Sequence, residues 1–283
     1  MKHVLVTGAL GQLGNALQQQ AGKPDEYRFF YTDVQTLDIT NQQAVTAYLE
    51  QKEIDYVLNC AAYTAVDRAE DEPNLCRLIN RDAVRILGDA ASEAGVKVMH
   101  ISTDYVFDGK GYRPYVETDE TAPMSVYGHT KLKGEQALLK ASPDAIILRT
   151  SWLYSATGSN FVKTMLTLGK ERKELKVVFD QVGTPTLADD LAAAMLQILQ
   201  QEWQPGIYHF SNEGVCSWYD FARKIMQLAG LDCRVIPIES KDYPSKTPRP
   251  FYSVLNKSKI KKTFGLTIPH WEESLEKLLK ELA

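Results

Sequence analysis

Tyr127 and Lys131, in the segment "VYGHTK", are four residues apart. On a helix this spacing places both side chains on one face, about one turn apart. A nearby ammonium favours tyrosinate, so the spacing predicts that Lys131 lowers the pKa of Tyr127. A phenol tuned in this way can donate or accept a proton near neutral pH. The pair indicates acid–base chemistry, although Tyr and Lys also form incidental surface pairs.

A second polar group follows a buried strand in "MHISTDYVFDG", residues 99–109. The apolar residues at 96, 98, 99 and 101 are typical of a strand, but Ser102, Thr103, Asp104 and Tyr105 place four polar side chains at its end. Ligands of doubly wound α/β sheets bind outside the carboxyl ends of the strands. These residues are therefore expected to face a ligand.

Three glycines in "VLVTGALGQLGNAL", Gly8, Gly11 and Gly14, lie between a predicted strand and a predicted helix. Glycines there allow a tight turn, let backbone N–H groups approach a pyrophosphate, and direct the helix N-terminus at its charge. Asp33 falls at the end of the second strand, at the distance expected for a carboxylate that binds ribose. The pattern predicts a dinucleotide site.

The elements that position these residues alternate between short β-branched runs and longer helical patterns. Predicted strands lie at 4–7, 28–32, 56–59, 96–102 and from 145, and predicted helices at 11–21, 42–52, 74–94 and 125–139. Such alternation requires a parallel sheet with crossover helices on both faces. The predicted fold is α/β, a Rossmann-type doubly wound parallel sheet.

The pattern loosens after residue 152, which predicts a smaller C-terminal lobe that binds substrate. We assign residues 1–150 to an NAD(P)-binding domain and 151–283 mainly to the lobe, with a segment at about 176–200 returning to the first domain. Residues 236–255 are predicted to be a Pro-rich loop. Its part at 243–250 is long enough and well placed to act as a lid.

Composition narrows the function classes. The 283 residues carry a formal charge of −4, with no run of five like charges, so nucleic acid is not an expected partner. No apolar span reaches the roughly 20 residues of a membrane helix, and the chain begins in a strand rather than a signal peptide. We expect a cytoplasmic protein with four reduced cysteines and no metal site.

Together, the glycine turn, the polar strand end and the Tyr-x-x-x-Lys pair resemble the extended short-chain dehydrogenase/reductase family. Within it, "NCAAYTAVDRAE", "ISTDYVFDG", "VYGHTKLKGE", "LRTSWLY" and "TPRPFYSVLN" are similar to members that act on dTDP-sugars, over essentially the whole chain. The resemblance implies reduction of the C4 carbonyl of dTDP-4-dehydro-β-L-rhamnose by NADPH or NADH. The product, dTDP-L-rhamnose, is a precursor of cell-surface polysaccharides.

The resemblance also implies roles for residues. Tyr127 donates a proton to the developing alkoxide, Thr103 hydrogen-bonds the same oxygen, and Lys131 holds the nicotinamide ribose and tunes Tyr127. Asp104 is expected near the sugar hydroxyls. The full set of predicted cofactor residues is Gly8, Gly11, Gln12, Leu13, Gly14, Asp33, Asp38, Ile39, Ala61, Ala62, Tyr63, Asn80, Tyr127 and Lys131.

Further residues carry two interpretations each. Trp152 is placed to pack on the deoxysugar or to fill the core, and Arg249 to pair with the diphosphate or to remain a solvated charge. Asn160 and Phe161 either line the thymidine pocket or begin a helix. Asn80 either orders the backbone near the site or is an ordinary polar helix residue.

Cofactor choice and assembly are left open by the sequence. "YTDVQTLDIT" offers Asp33 and Asp38 and no base for a 2′-phosphate, which favours NADH, whereas the family usually takes NADPH. Some relatives form homodimers bridged by magnesium through an acid in the helix after the glycines. Here Gly14, Asn15 and Ala16 lack that carboxylate, so a magnesium-bridged homodimer is without support.

Two other functions compete with the reductase. A nucleotide-sugar epimerase or dehydratase has the same scaffold, but a dehydratase normally has an acidic pair after the Thr, where this chain has Asp104 and Tyr105. A regulatory subunit of methionine adenosyltransferase is a related class without catalysis. The presence of Thr103, Tyr127 and Lys131 together argues against that interpretation.

Overall fold

The computed structural model describes residues 1–21, 26–243 and 245–282. The strands are β1 (Lys2–Thr7), β2 (Tyr27–Thr32), β3 (Tyr56–Asn59), β4 (Lys97–Thr103), β5 (Ile146–Thr150), β6 (Leu153–Tyr154), β7 (Glu174–Val178), β8 (Val182–Gly183), β9 (Thr186–Leu187), β10 (Gly206–His209), β11 (Cys216–Ser217) and β12 (Arg234–Ile238). The helices are α1 (Gln12–Gln20), α2 (Gln42–Gln51), α3 (Val66–Ala69), α4 (Pro73–Arg77), α5 (Ala83–Ala94), α6 (Val126–Ala141), α7 (Phe161–Glu171), α8 (Ala188–Leu199), α9 (Trp218–Leu228), α10 (Ser258–Phe264) and α11 (Trp271–Leu282).

The main sheet of the described residues has the order β10-β5-β4-β3-β1-β2, and neighbouring strands pair in parallel. Its central strands are almost completely buried because helices cover both faces. One apolar core lies between the sheet and α1, α8 and α10, and the other between the sheet and α2, α5 and α6. The predicted Rossmann-type doubly wound sheet is confirmed.

A smaller apolar core belongs to the C-terminal lobe, where α7, α9 and α11 pack around the parallel pair of β7 and β12. Residues 176–200 were predicted to return to the first domain. In this segment α8 packs on α1, which covers the main sheet, whereas β7 pairs with β12 in the lobe. β10 and α10, further along the chain, also lie against the main sheet. The division near residue 150 stays a prediction.

The sequence prediction was wrong about part of the Pro-rich loop. Residues 236–238, predicted as loop, complete β12, and Pro237 is accommodated because the two-stranded sheet leaves β12 an unpaired side. No helix was predicted at α10. Only two of its seven residues, Ile260 and Phe264, are large and apolar, and three are lysines, so the sequence shows no clear helical periodicity. Pro244, in the predicted lid, lies outside the described residues.

Candidate active site

The glycine turn after β1 has the geometry of a phosphate cradle. Gly8 has φ +65°, and a Cβ there would lie 2.7 Å from the Ala61 nitrogen. A Cβ on Gly14 would lie 2.3 Å from the Gly8 carbonyl oxygen, so only glycine lets α1 approach the turn this closely. Gly11 caps α1 without a side-chain acceptor, which leaves the first N–H groups of the helix free to bind an anion.

A cleft of about 460 Å³ opens beside this turn, a volume in the range of small-molecule binding sites. Asp33 lines it at the end of β2, and exposed Leu75 and Leu78 give it an apolar wall for a flat ring. The predicted cofactor residues that line this cleft are Gly8, Gly11, Asp33, Asp38, Ile39, Ala61 and Ala62.

Other predicted cofactor residues do not line the cleft but lie beneath the residues that do. Leu13 is buried in the core between the sheet and α1. The Asn80 side chain forms two hydrogen bonds with the backbone of Tyr63: it accepts from the N–H at 2.8 Å and donates to the carbonyl oxygen at 2.9 Å. Asn80 belongs to the π-helical segment Leu78–Asp82 between α4 and α5, a local irregularity that is frequent at functional sites. Its contacts are those of a residue that orders the backbone.

Gln12 was predicted to bind the cofactor, and Asn160 either to line the thymidine pocket or to begin a helix. The structure brings the two side chains together. Asn160 Nδ2 donates to Gln12 Oε1 at 3.0 Å and to the Ser155 carbonyl oxygen at 2.8 Å. Its Oδ1 accepts from the Lys163 N–H at 3.1 Å, so Asn160 also caps α7. With its polar atoms committed in this way, Asn160 joins the glycine turn to the C-terminal lobe.

The helix α6 positions the candidate acid–base pair. Ser125 caps it, accepting from the Gly128 N–H at 3.1 Å. A Cβ on Gly128 would lie 2.3 Å from the Tyr105 carbonyl oxygen, so this glycine lets α6 contact the end of β4. Tyr127 is consequently buried, with its ring 5.5 Å from that of Tyr105 in an edge-on contact.

The expected lowering of the Tyr127 pKa by Lys131 is wrong for this structure. Burial raises the pKa of Tyr127 above its ordinary value, and the Thr103 side chain only partly offsets this. Lys131 does not counteract it, because its Nζ donates to the Ile101 carbonyl oxygen at 2.6 Å and lies 3.3 Å from His100 Nε2. A protonated phenol at neutral pH is the form that a reduction needs in a proton donor.

Thr103 and Asp104 lie buried at the end of β4, on the Tyr127 side. Thr103 Oγ1 donates to Asp104 Oδ1 at 3.0 Å. Asp104 Oδ2 has no hydrogen-bond partner in the described residues, and burial raises the pKa of Asp104 to about 6. A buried carboxyl oxygen with a free lone pair can accept a hydroxyl of a bound ligand.

A second cavity, of about 370 Å³, lies on the lobe side of Tyr105. The Trp152 ring stacks on that of Trp218 with centroids 3.6 Å apart, and Phe161 packs on Trp218 at 4.6 Å. Trp152 has φ +49°, an uncommon conformation for a bulky residue and one that clusters at functional sites. The cavity offers aromatic faces to a planar or deoxysugar ligand.

Arg249, predicted either to pair with the diphosphate or to remain a solvated charge, meets Tyr105 at the edge of this cavity. Arg249 Nη1 donates to the Tyr105 hydroxyl at 3.1 Å, and Nη2 pairs with Asp67 at 2.5 Å. Both Arg249 and Tyr105 line the cavity. A phosphate ligand would therefore compete with Asp67 for this guanidinium.

Gly183 makes room for Trp152, because a Cβ there would lie 2.7 Å from the indole ring. We expect Gly183→Ala to displace the ring and raise the KM for the sugar nucleotide by about tenfold or more, as small misplacements in a binding site do. Steady-state kinetics measure the KM. The Kd of NADH and the melting temperature serve as controls, and an unchanged KM would contradict a substrate role for Trp152.

No cluster of three or more His, Cys, Asp or Glu side chains suited to a metal ion occurs within residues 1–21, 26–243 and 245–282. Over the same residues, no helix is long and apolar enough to cross a bilayer.

The glycine turn with its cleft, and the Tyr127–Lys131 pair beside Thr103, define a nicotinamide-dependent oxidoreductase of the short-chain dehydrogenase/reductase class. The family model described as "RmlD substrate binding domain" matches residues 1–283. The chain belongs to this family.

Individual relatives match over nearly their whole length. The spore coat polysaccharide biosynthesis protein SpsK of Bacillus subtilis is 42% identical, with 99% of this chain and 98% of the relative covered. A dTDP-4-dehydrorhamnose reductase of Sinorhizobium fredii is 42% identical over 97% of this chain and 95% of its own. The crystal structure of a dTDP-4-dehydrorhamnose reductase from Bacillus anthracis in complex with NADP is 41% identical, covers 99% of this chain and 100% of its own, and has a TM-score of 0.95.

Proposed function

We propose that this chain reduces the C4 carbonyl of dTDP-4-dehydro-β-L-rhamnose with NAD(P)H to give dTDP-L-rhamnose. The observation that carries the proposal is that the buried Tyr127 packs on Tyr105, which lines the aromatic cavity, while the glycine turn and Asp33 line a separate cleft. The full-length similarity to proteins named dTDP-4-dehydrorhamnose reductase supports the choice of substrate.

The bound nicotinamide supplies the hydride that C4 receives. The N–H groups of the glycine turn and α1 hold the diphosphate, Asp33 the adenine ribose, and Lys131 the nicotinamide ribose. Tyr127 donates its phenolic proton to the oxygen on C4. The Thr103 hydroxyl turns from Asp104 Oδ1 to donate to that oxygen as its negative charge grows. Hydride and proton together convert the ketone to an alcohol.

The proposal is tested by following nicotinamide absorbance while the purified protein meets dTDP-4-dehydrorhamnose made in place by the upstream enzymes. NADH and NADPH are supplied in parallel, and reactions without the ketosugar are the control. Oxidation that depends on the ketosugar is the expected result. Silence with both cofactors, while cofactor binding is intact, would refute this substrate and redirect the search to other nucleotide-linked ketosugars.

Asp33 is expected to control the choice of cofactor. It lines the cleft without a Lys or Arg among the lining residues, so its carboxylate suits a ribose hydroxyl and repels a 2′-phosphate. We expect Asp33→Ala to raise the ratio of kcat/KM for NADPH to that for NADH by about tenfold, equivalent to about 1.4 kcal/mol. Glu50→Ala, an exposed change of equal charge on α2, is the matched control; equal ratios in both variants would contradict the role.

A dTDP-sugar is thus the proposed small-molecule partner. The possible homodimer and the cytoplasmic location stay predictions from the sequence. Sedimentation of the purified protein would measure the oligomeric state directly.

A further inference from the structure

A row of buried polar side chains crosses three neighbouring strands and ends at Lys131. In the sheet register, Thr7 of β1 lies beside Asn59 of β3, which lies beside His100 of β4. Each is at most 1% exposed. Buried polar groups destabilise a protein unless they are hydrogen-bonded. The hydrogen-bond partners in this row therefore determine which nitrogen of the His100 ring carries the proton. None of the three takes part in the proposed transfer of hydride and proton.

The Asn59 amide has one orientation that satisfies its neighbours. Asn59 Oδ1 accepts from Thr7 Oγ1 at 2.6 Å and from the Ala61 N–H at 3.3 Å. A backbone N–H can only donate, so the amide oxygen must face Ala61. Asn59 Nδ2 then faces His100 Nδ1 at 2.9 Å. Because Nδ2 can only donate, His100 Nδ1 accepts, and the ring carries its proton on Nε2.

His100 Nε2 faces Lys131 Nζ at 3.3 Å, and Nζ also donates to the Ile101 carbonyl oxygen at 2.6 Å. An uncharged Lys131 amine can accept a hydrogen bond from Nε2–H while donating to the Ile101 carbonyl oxygen. A Lys131 ammonium has no lone pair, so its N–H groups would face the Nε2–H donor without forming a hydrogen bond. We propose that His100 is a positioning residue for Lys131, held by Thr7 and Asn59 as its Nε2–H tautomer and fixing the amine against the Ile101 carbonyl. Its relevance to catalysis rests on the proposed reductase function.

None of the other ionisable groups near the contact between His100 and Lys131 takes the place of His100 in holding the Lys131 amine. Tyr127 and Glu135 share α6 with Lys131, Cys60 follows β3, and Cys76 belongs to α4. Glu135 is held by two hydrogen bonds from Arg149, at 2.9 and 2.7 Å. Burial keeps both thiols protonated by raising their pKa.

The charge states expected from burial agree with this geometry. Burial lowers the pKa of His100 well below its ordinary value, so the ring stays neutral. Burial also lowers the pKa of Lys131 to about 8, although Glu135 opposes the shift. Lys131 can therefore release its proton close to neutral pH, and the His100 contact favours the released form.

The tautomer can be read directly from the ¹⁵N chemical shifts of the histidine rings in the free protein, between pH 6 and 9. The His100→Asn variant identifies the His100 signals by their loss. We expect a neutral ring with the proton on Nε2 throughout. A proton on Nδ1, or titration of the ring in this range, would overturn the proposal. This measurement uses neither substrate nor turnover, so its failure is distinct from failure of the proposed function.

Two variants test positioning. His100→Asn keeps an acceptor for Asn59 but removes the group facing Lys131, whereas His100→Gln keeps a polar group near the Nε2 position. We expect His100→Asn to lower kcat by about 10- to 100-fold, as misplaced catalytic groups do, and His100→Gln to recover most of the loss. An alkaline ionisation of kcat that belongs to Lys131 should also move to higher pH in His100→Asn, because the contact that favours the uncharged amine is lost.

The matched control is His129→Gln on the exposed side of α6, which should behave as wild type. Equal losses in His100→Asn and His100→Gln, with the wild-type pH profile retained in both, would indicate a purely structural role and overturn the proposal.

Discussion

Tyr127→Phe is expected to lower kcat by about two to four orders of magnitude while the Kd of NAD(P)H stays near the wild-type value. The variant removes only the hydroxyl that donates the proton. The remaining ring keeps its packing against Tyr105 and beside the buried Ala69 and Cys76, so α6 should stay in place. The cofactor cleft is lined by other residues, which is why binding should be spared.

Tyr105→Phe is the matched control for this experiment. Tyr105 is the neighbouring, partly buried tyrosine, and its hydroxyl accepts from Arg249. Its loss should affect the KM of the sugar nucleotide more than kcat. Single-turnover oxidation of NADH measures the chemical step in both variants. A Tyr127→Phe rate within about tenfold of wild type would remove Tyr127 from the role of proton donor.

The pKa of Tyr127 extends this expectation to pH. Because burial raises that pKa, the phenol should remain protonated across the neutral range. The sequence led to the opposite prediction, since the spacing of Tyr127 and Lys131 says nothing of where Nζ points. Nζ is drawn to a carbonyl of β4 and to His100, both more than 25 residues away in the chain.

Features that depend on local sequence were predictable. The glycine turn, the strand ends and the helix periods follow from neighbouring residues, and the fold they define is the one observed. Features that depend on strand register were not. The row of Thr7, Asn59 and His100 exists because three strands pair in one register, and each residue alone is an isolated polar side chain in an apolar strand. The one indication in the sequence that a buried polar row exists was His100, a histidine within the apolar run "VMHI".

Contacts between distant segments were equally hidden. Gln12 and Asn160 are 148 residues apart, and nothing in either motif specifies their hydrogen bond. The same holds for Arg249 and Asp67, whose ion pair depends on the path of the Pro-rich loop over α3. Sequence reasoning found residues at strand ends, where geometry is set by the strand itself, and missed those positioned by packing.

Arg149→Met is expected to lower the free energy of unfolding by about 3 to 5 kcal/mol, because it leaves the buried carboxylate of Glu135 without its partner. The pair joins α6 to β5 and is nearly inaccessible, with the two side chains 3% and 2% exposed. Arg149 also lies over the Phe107 ring at 5.1 Å. Since α6 carries Tyr127 and Lys131, the loss should reach the active site as well.

The double variant Arg149→Met, Glu135→Leu separates pairing from packing. It removes both charges, and replacement of a buried ion pair by apolar side chains of similar volume is often neutral or stabilising. We expect it to regain most of the stability lost by Arg149→Met alone, as measured by urea unfolding. Arg85→Met, which breaks an exposed pair with Asp89, is the control and should cost under about 1 kcal/mol.

Comparing the kcat of the two variants with their free energies of unfolding separates two roles of the ion pair. If the ion pair serves only to hold α6 on the sheet, the double variant should recover kcat together with stability. If the Glu135 carboxylate also sets the pKa of Lys131, one helical turn away, stability should return while kcat and its pH dependence stay altered. Recovery of neither would mean that the guanidinium contact with Phe107, rather than the ion pair, anchors the catalytic helix.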